Sequence, residues 1–410
     1  MVLAAGRSGD NMRRMSKITN GLIGQPMFKL LARAKEMELA GRRIHHFEIG
    51  DSCFRAHQHI LDATKQGLDQ DRTHYVDSSG IPELKEAICD HTAQTLGFRP
   101  DADQVLVMPA NSVIDGVFRC LVDPGEEVLF PDPGFSTYLA VTNYTGIKKV
   151  GYPLLDSNAF QLDVADMAAR ISPRTRLLVL NSPNNPTGSV VGEEDVRRVA
   201  ELAEREDLYL LSDEIYSQVL YEQQSHFSPA VFDRCRERTI ILNGFAKNYS
   251  MPGWRLGYAI GPKPVIRKLG ILFQTLFSCL PPFIQQGGIA ALTGDQDCVR
   301  ERIWRYEVLR DLMVEKLNSL PGVSCVAPQG ACYVFPNISR TGMSSEEFAD
   351  FALEQAGVAV LPGNCFGPFG EGHVRLCFTQ SAETIEWALE KVKTALTKRA
   401  VRSDYEVFVG

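Results

Sequence analysis

No CxxC pair occurs in the chain: its ten cysteines, at 53, 89, 120, 235, 279, 298, 325, 332, 365 and 377, are scattered singly. That excludes zinc ribbons and dithiol redox centres, and free cysteine acting as a small buried hydrophobe in a reduced, cytoplasmic protein is the simple reading. Positive charge is short as well, with 43 Lys and Arg against 50 Asp and Glu for a net charge of −7. Without a basic excess the long-range attraction to a phosphate backbone is missing, which argues against nucleic acid as a partner. No run approaches the ~20 apolar residues of a membrane span. The segment MVLAAGRSGDNMRRMSK lacks the apolar stretch of a secretory signal, so residues 1–17 read as a flexible tail. A G-x-G-x-x-G fingerprint after a strand is also absent, which counts against a nicotinamide enzyme.

What is present is ordinary globular composition, 44% apolar and 23% charged over 410 residues. The length exceeds the ~150 residues of a common domain, and the composition is far from that of a disordered chain. From Val105 onward a strand, turn and helix pattern repeats. Short apolar runs at 105–108, 128–130, 177–180, 208–211 and 240–242 alternate with helical stripes such as Val113, Val117, Cys120 and Leu121, or Val196, Val199, Ala200 and Ala203. Wholly apolar strands between amphipathic helices predict an α/β fold with a mostly parallel sheet covered on both faces. After Gly294 the texture changes to a charged helix over 299–317, short strands near 332–335 and 374–378, and a last helix over 382–396, predicting a smaller α+β unit.

In such sheets ligands bind beyond the carboxyl ends of the strands, and the residues there are polar. One run ends in Asn181-Ser-Pro-Asn-Asn-Pro-Thr-Gly188, the next in Ser212-Asp-Glu-Ile-Tyr216, and a third in Asn243-Gly-Phe-Ala-Lys247. Taken singly, each residue reads as a cap or turn residue. Lys247 is different, because a lysine directly after a buried strand is costly unless it is paired or chemically committed. Arg255 follows in Gly-Trp-Arg-Leu-Gly, and Pro109-Ala110-Asn111-Ser112 opens a helix whose free N–H groups favour a phosphate. An amine, an acid, an arginine and a helix N-terminus are the parts a phosphorylated aldehyde cofactor requires.

With these motifs, and with Pro328-Gln-Gly-Ala-Cys-Tyr333 and Leu361-Pro-Gly363 through Arg375, the chain resembles the class I/II aminotransferases from about Ile18 to Leu396. The resemblance implies fold type I, with a large domain around a seven-stranded sheet and a small α+β domain built from both ends of the chain. It divides the sequence into an N-terminal arm with part of the small domain at 18–60, a large domain at 61–294 and a small C-terminal domain at 295–410. It also implies pyridoxal 5′-phosphate (PLP) as cofactor, with an L-α-amino acid and a 2-oxo acid as substrates.

Residue by residue, the resemblance makes Lys247 the Schiff-base lysine and Asp213 the partner of the pyridine nitrogen. Asn185 and Tyr216 become donors to the ring oxygen, and Phe135 the aromatic on the ring face, although plain core packing explains Phe135 equally well. Arg255 and the Ala110 and Asn111 amides would hold the phosphate. Tyr75 would reach the phosphate of a neighbouring subunit, implying a homodimer with shared sites. Arg375 would clamp the substrate carboxylate bidentately, Gly50 would lie on the segment that closes over the substrate, and the functional cations would point inward.

Departures from the family pattern are Gly244 where a hydroxyl residue is usual, Pro109 for a glycine, Ser52-Cys53 for Pro-Asp, and Cys332 for an aromatic. They keep open a PLP enzyme of β- or γ-elimination or of cyclisation, while a non-catalytic PLP sensor would need a DNA-binding domain ahead of this fold. Aspartate-type specificity would need a second arginine that spacing does not place. His45-His46 and His57-Gln58-His59 lack the spacing of a metal site and read as surface histidines, with a substrate contact for His57 left open; no metal is expected. The charged stretch Arg302 to Glu315 reads as a solvated face.

Overall fold

In the computed structural model residues 13–409 are described, with side chains to Val401. Residues 1–12 of the expected tail lie outside this range, and Lys17–Gly21 form a short 3-10 turn. The apolar runs become the strands of one seven-stranded sheet. Across it the strands are Val105–Val107, Gly257–Ile260, Thr239–Gly244, Tyr209–Asp213, Thr175–Asn181, Glu127–Asp132 and Lys148–Pro153. Only Gly257–Ile260 runs antiparallel, to both of its neighbours. Most of these strands are buried along their whole length, because helices cover both faces and leave no solvated side for polar alternation.

The covering helices form where the apolar stripe has helical spacing. Ala110–Leu121 buries Val113, Ile114, Val117 and Phe118. Glu193–Arg205 buries Val196, Val199, Leu202 and Ala203, with three acids in its first turn and Arg205 in its last, as the helix dipole favours.

The two ends of the chain meet outside this sheet. His45–His46 pairs in parallel with Val358–Ala359, and Val374–Cys377 lies antiparallel between Leu361–Pro362 and Tyr333–Val334. Phe47 from the N-terminal end shares a core with Tyr306, Met313, Leu376, Phe378 and Leu389. The helices around this core are Asp297–Asn318, Ser345–Phe351 and Ala382–Val409.

Two expectations are corrected here. The helix Asp297–Asn318 is not simply a solvated face, because Arg302 and Arg310 are buried. Arg302 donates to the Asn248 carbonyl at 2.8 Å. Arg310 donates to the Pro328 carbonyl at 3.2 Å and to Glu222 at 2.8 Å, with its guanidinium over the Tyr221 ring. Nor is His45 a surface histidine: it is buried, with its ring centroid 4.3 Å from that of Trp387.

Candidate active site

Three parallel strands end side by side, with Asn181 opposite Asp213 and Asp213 opposite Leu242. Their carboxyl ends therefore deliver Asn185, Asp213, Tyr216 and Lys247 to one edge of the sheet. Asp213 is 3% exposed. It accepts a hydrogen bond from the Tyr138 hydroxyl at 2.5 Å and a long one from the Ile215 N–H at 3.4 Å. No cation among the described residues pairs with it. Burial pushes its carboxyl up to about 6, against the lowering influence of Tyr138.

A single segment, Glu48 to Gly50, receives both site cations. Lys247 Nζ donates to the Gly50 carbonyl, and Arg375 Nη2 donates to the Glu48 carbonyl at 2.7 Å. Arg375 is 0% exposed, and its Nη1 donates to Asn185 Oδ1 at 3.0 Å. Its guanidinium lies over the rings of Tyr333 and Phe366, at 4.2 and 4.9 Å. Arg375 Nε is buried without a partner. Tyr216 donates to the Tyr333 hydroxyl at 2.9 Å, and burial raises both phenols well above their ordinary range.

Gly50 is required sterically, since a Cβ there would lie 1.9 Å from the Tyr333 hydroxyl oxygen. At 244 the fit is tight but milder. Gly244 faces Gly257 across the antiparallel pair, and a Cβ on it would lie 3.1 Å from Gly257 Cα, Ile215 Cδ1 and the Leu256 carbonyl oxygen. Cys332 is buried, with its backbone carbonyl accepting from the Phe378 N–H, and burial pushes its thiol up.

Other expected site residues are placed but not drawn together. Ala110 and Asn111 begin the helix Ala110–Leu121, where N–H groups have no partner inside the helix, and Pro109 precedes them. Phe135 is half-buried and meets Tyr138 edge-on, with centroids 5.8 Å apart. Arg255 does not point inward; it is exposed, in the left-handed region, and donates to the Pro252 carbonyl of its own turn at 2.9 Å. Tyr75 is 87% exposed. His57 and His59 contact each other through Nδ1 at 2.6 Å.

Residues missed from sequence are Tyr138, Glu48 and, as a contact of both Arg375 and Tyr216, Tyr333. Tyr138 carried a usable signal, because it lies three residues after Phe135 across the start of a helix and so shares its face. Glu48 acts through its carbonyl, which no residue type announces.

The match to known proteins covers most of the chain. The family model described as aminotransferase class I and II matches residues 43–392. The chain belongs to the class I and II aminotransferases. It is 36% identical over 373 residues to an aspartate aminotransferase of Pyrococcus horikoshii, covering 90% of this chain and 93% of that one. It is also 36% identical over 357 residues to aromatic-amino-acid aminotransferase 2 of Thermococcus litoralis, covering 86% and 91%. Among solved structures, aspartate aminotransferase of Thermus thermophilus with maleate superposes with a TM-score of 0.88 at 33% identity, covering 94% of this chain and 100% of that one. This aminotransferase is therefore an enzyme of fold type I. No helix among its described residues is long and apolar enough to cross a membrane.

Proposed function

We propose that this aminotransferase moves an amino group from an L-α-amino acid to a 2-oxo acid with PLP as cofactor, Lys247 holding the cofactor's aldehyde. The observation that carries the proposal is the seating of Lys247 and Arg375 on carbonyls two residues apart, Gly50 and Glu48, beside a buried acid that lacks a cation. Asp213 suits a protonated pyridine nitrogen, which would supply the missing positive charge. The unpartnered Arg375 Nε leaves the guanidinium a donor to spare for a carboxylate. When bound, PLP supplies a ring that accepts the electron pair released as a bond at the substrate Cα breaks.

The chain's residues do the rest. Arg375 binds and orients the α-carboxylate, and Tyr333 and Phe366 shield that pair from water. The Lys247 amine, when freed by the incoming amino group, would take the proton from the substrate Cα and hold it for return. Asn185 has its side-chain oxygen engaged by Arg375, so its amide nitrogen would donate to a ring oxygen, joined by the Tyr216 hydroxyl when that turns from Tyr333. Phe135 would face the ring, and the first amides of the helix at Ala110 and Asn111 would hold the phosphate, joined by Arg255 only if it leaves the Pro252 carbonyl.

The same reading includes a homodimer in which Tyr75 serves the partner's site. Exposed Leu22, Ile23, Leu276 and Phe277 support it, because they line an open groove of about 360 Å³ beside Asn111 that a second subunit would cover. It also includes the division into a large central domain and a small one made from both ends, and a cytoplasmic setting, which ten free cysteines support.

The purified protein is expected to show a visible absorption band that Lys247→Ala abolishes together with transfer activity. An amino acid supplied alone should be consumed once per site and then wait for a 2-oxo acid. Protein without the band, or a band unchanged in Lys247→Ala, would overturn the cofactor assignment; repeated turnover with ammonia release would overturn the transfer reaction.

A further inference from the structure

One face of the helix Asp297–Asn318 carries Arg302, Tyr306 and Arg310, spaced four residues apart and all buried. Each reaches a different loop of the site. Arg302 donates to the carbonyl of Asn248, which follows Lys247 directly. Arg310 donates to the carbonyl of Pro328, at the start of the segment that ends in Tyr333. Tyr306 donates to Ser52 Oγ at 2.7 Å. Ser52 Oγ also accepts from the Phe54 N–H at 3.1 Å and is hydrogen-bonded to the Ser250 hydroxyl at 3.1 Å. Ser250 stands three residues after Lys247, buried and in the left-handed region, and Ser52 stands two residues after Gly50.

We infer that Ser52 and Tyr306 are positioning residues for the amino-acid substrate. Through one hydroxyl they tie the Gly50 segment both to the Lys247 turn and to the helix behind it. The purpose follows from what that segment does. Its carbonyls at 48 and 50 receive the substrate-clamping arginine and the lysine, so any drift of the segment misplaces both cations together. The following residues are also held elsewhere: the Cys53 N–H donates to the Thr379 carbonyl at 3.2 Å, Thr379 Oγ1 donates to the Asp51 carbonyl at 2.5 Å, and the Phe54 ring packs against Tyr306, with centroids 5.6 Å apart, under the Arg305 guanidinium. Among the described residues, the Ser52 hydroxyl joins this loop both to the segment that carries the lysine and to the distant helix. A proline at this position could accept none of these bonds.

The inference rests on the transferase reading, but its test has an arm independent of it. In cofactor-free protein, hydrogen exchange of the amides at 50–56 should quicken about fivefold to tenfold in Tyr306→Phe, the loss of one hydrogen bond, and at least as much in Ser52→Ala, which also loses the bonds with Ser250 and the Phe54 N–H. With cofactor and substrates, KM for the amino donor should rise by a similar factor while kcat changes less than about threefold. The double variant should be no worse than Ser52→Ala, because both changes break one link, and Ser52→Thr should restore both readouts. Exchange and KM within about twofold of the wild type in both single variants would overturn the inference. So would faster exchange spread evenly along the helix Asp297–Asn318 with KM unmoved, since that is a merely structural role. Wild-type protein without transfer activity would overturn the transferase reading, while loop exchange would still decide whether the hydroxyl holds the loop.

Discussion

Asp213 sits among apolar strand ends, and the Tyr138 phenol offsets only part of its desolvation. Its folded-state value of about 6 lies above the ordinary 3.8, so ionising it costs folding free energy. The cost is absent below the lower value, grows between the two and is complete above the upper one. Asp213→Asn removes it, and in cofactor-free protein the gain in stability should approach about 3 kcal/mol at about pH 8 and vanish near about pH 4. Urea unfolding at the two pH values reads it, and equal gains at both would contradict the carboxyl's burial as the cause. At this scale the sequence was informative wherever a polar residue followed an apolar run, as for Asp213, Asn185 and Lys247. It was silent about Glu48, which acts through backbone, and about the neighbours that remove Arg375 from water.

Charges every few residues along a helix suggest solvent, and for most of Asp297–Asn318 they find it. Arg300 pairs with Asp297, and Arg305 with Glu301, on the exposed side. Arg310 has the same residue type and a similar local pattern, yet it is buried against Tyr221 and Pro328. Sequence periodicity could not separate them, because long side chains let an arginine bury its stem and still meet carbonyls at the far side. The difference is measurable. Arg310→Met should cost about 1–3 kcal/mol in chemical denaturation, since it leaves the Pro328 carbonyl buried without its donor. Arg300→Met should stay within about 0.5 kcal/mol. Equal effects would return the helix to the solvated reading. The strands were legible for the opposite reason: a parallel sheet covered on both faces admits only apolar runs, and those runs lie where the strands form.

For the whole molecule, the pairing of His45–His46 with Val358–Ala359 could not be read from spacing, since nothing in a two-residue strand names its partner. Resemblance alone implied that both ends of the chain build one unit. The proposed dimer has a specific consequence if Tyr75 serves the other subunit. Lys247→Ala protein mixed with Tyr75→Phe protein should form hybrids with one intact site each, recovering up to about a quarter of wild-type activity once subunits exchange. Recovery no greater than the sum of the two variants alone, with exchange shown by mass spectrometry, would place Tyr75 in its own subunit's site or in none.

The hydrogen bond from Arg375 to the Glu48 carbonyl joins groups 327 residues apart. At roughly 5–20 residues per second of synthesis, the two partners leave the ribosome about 16–65 s apart. The central sheet, complete at Ile260, can form well before Arg375 exists. A nascent chain could thus assemble its lysine-bearing edge while it still lacks the carboxylate clamp, so competence toward amino acids would arrive only when synthesis is almost finished.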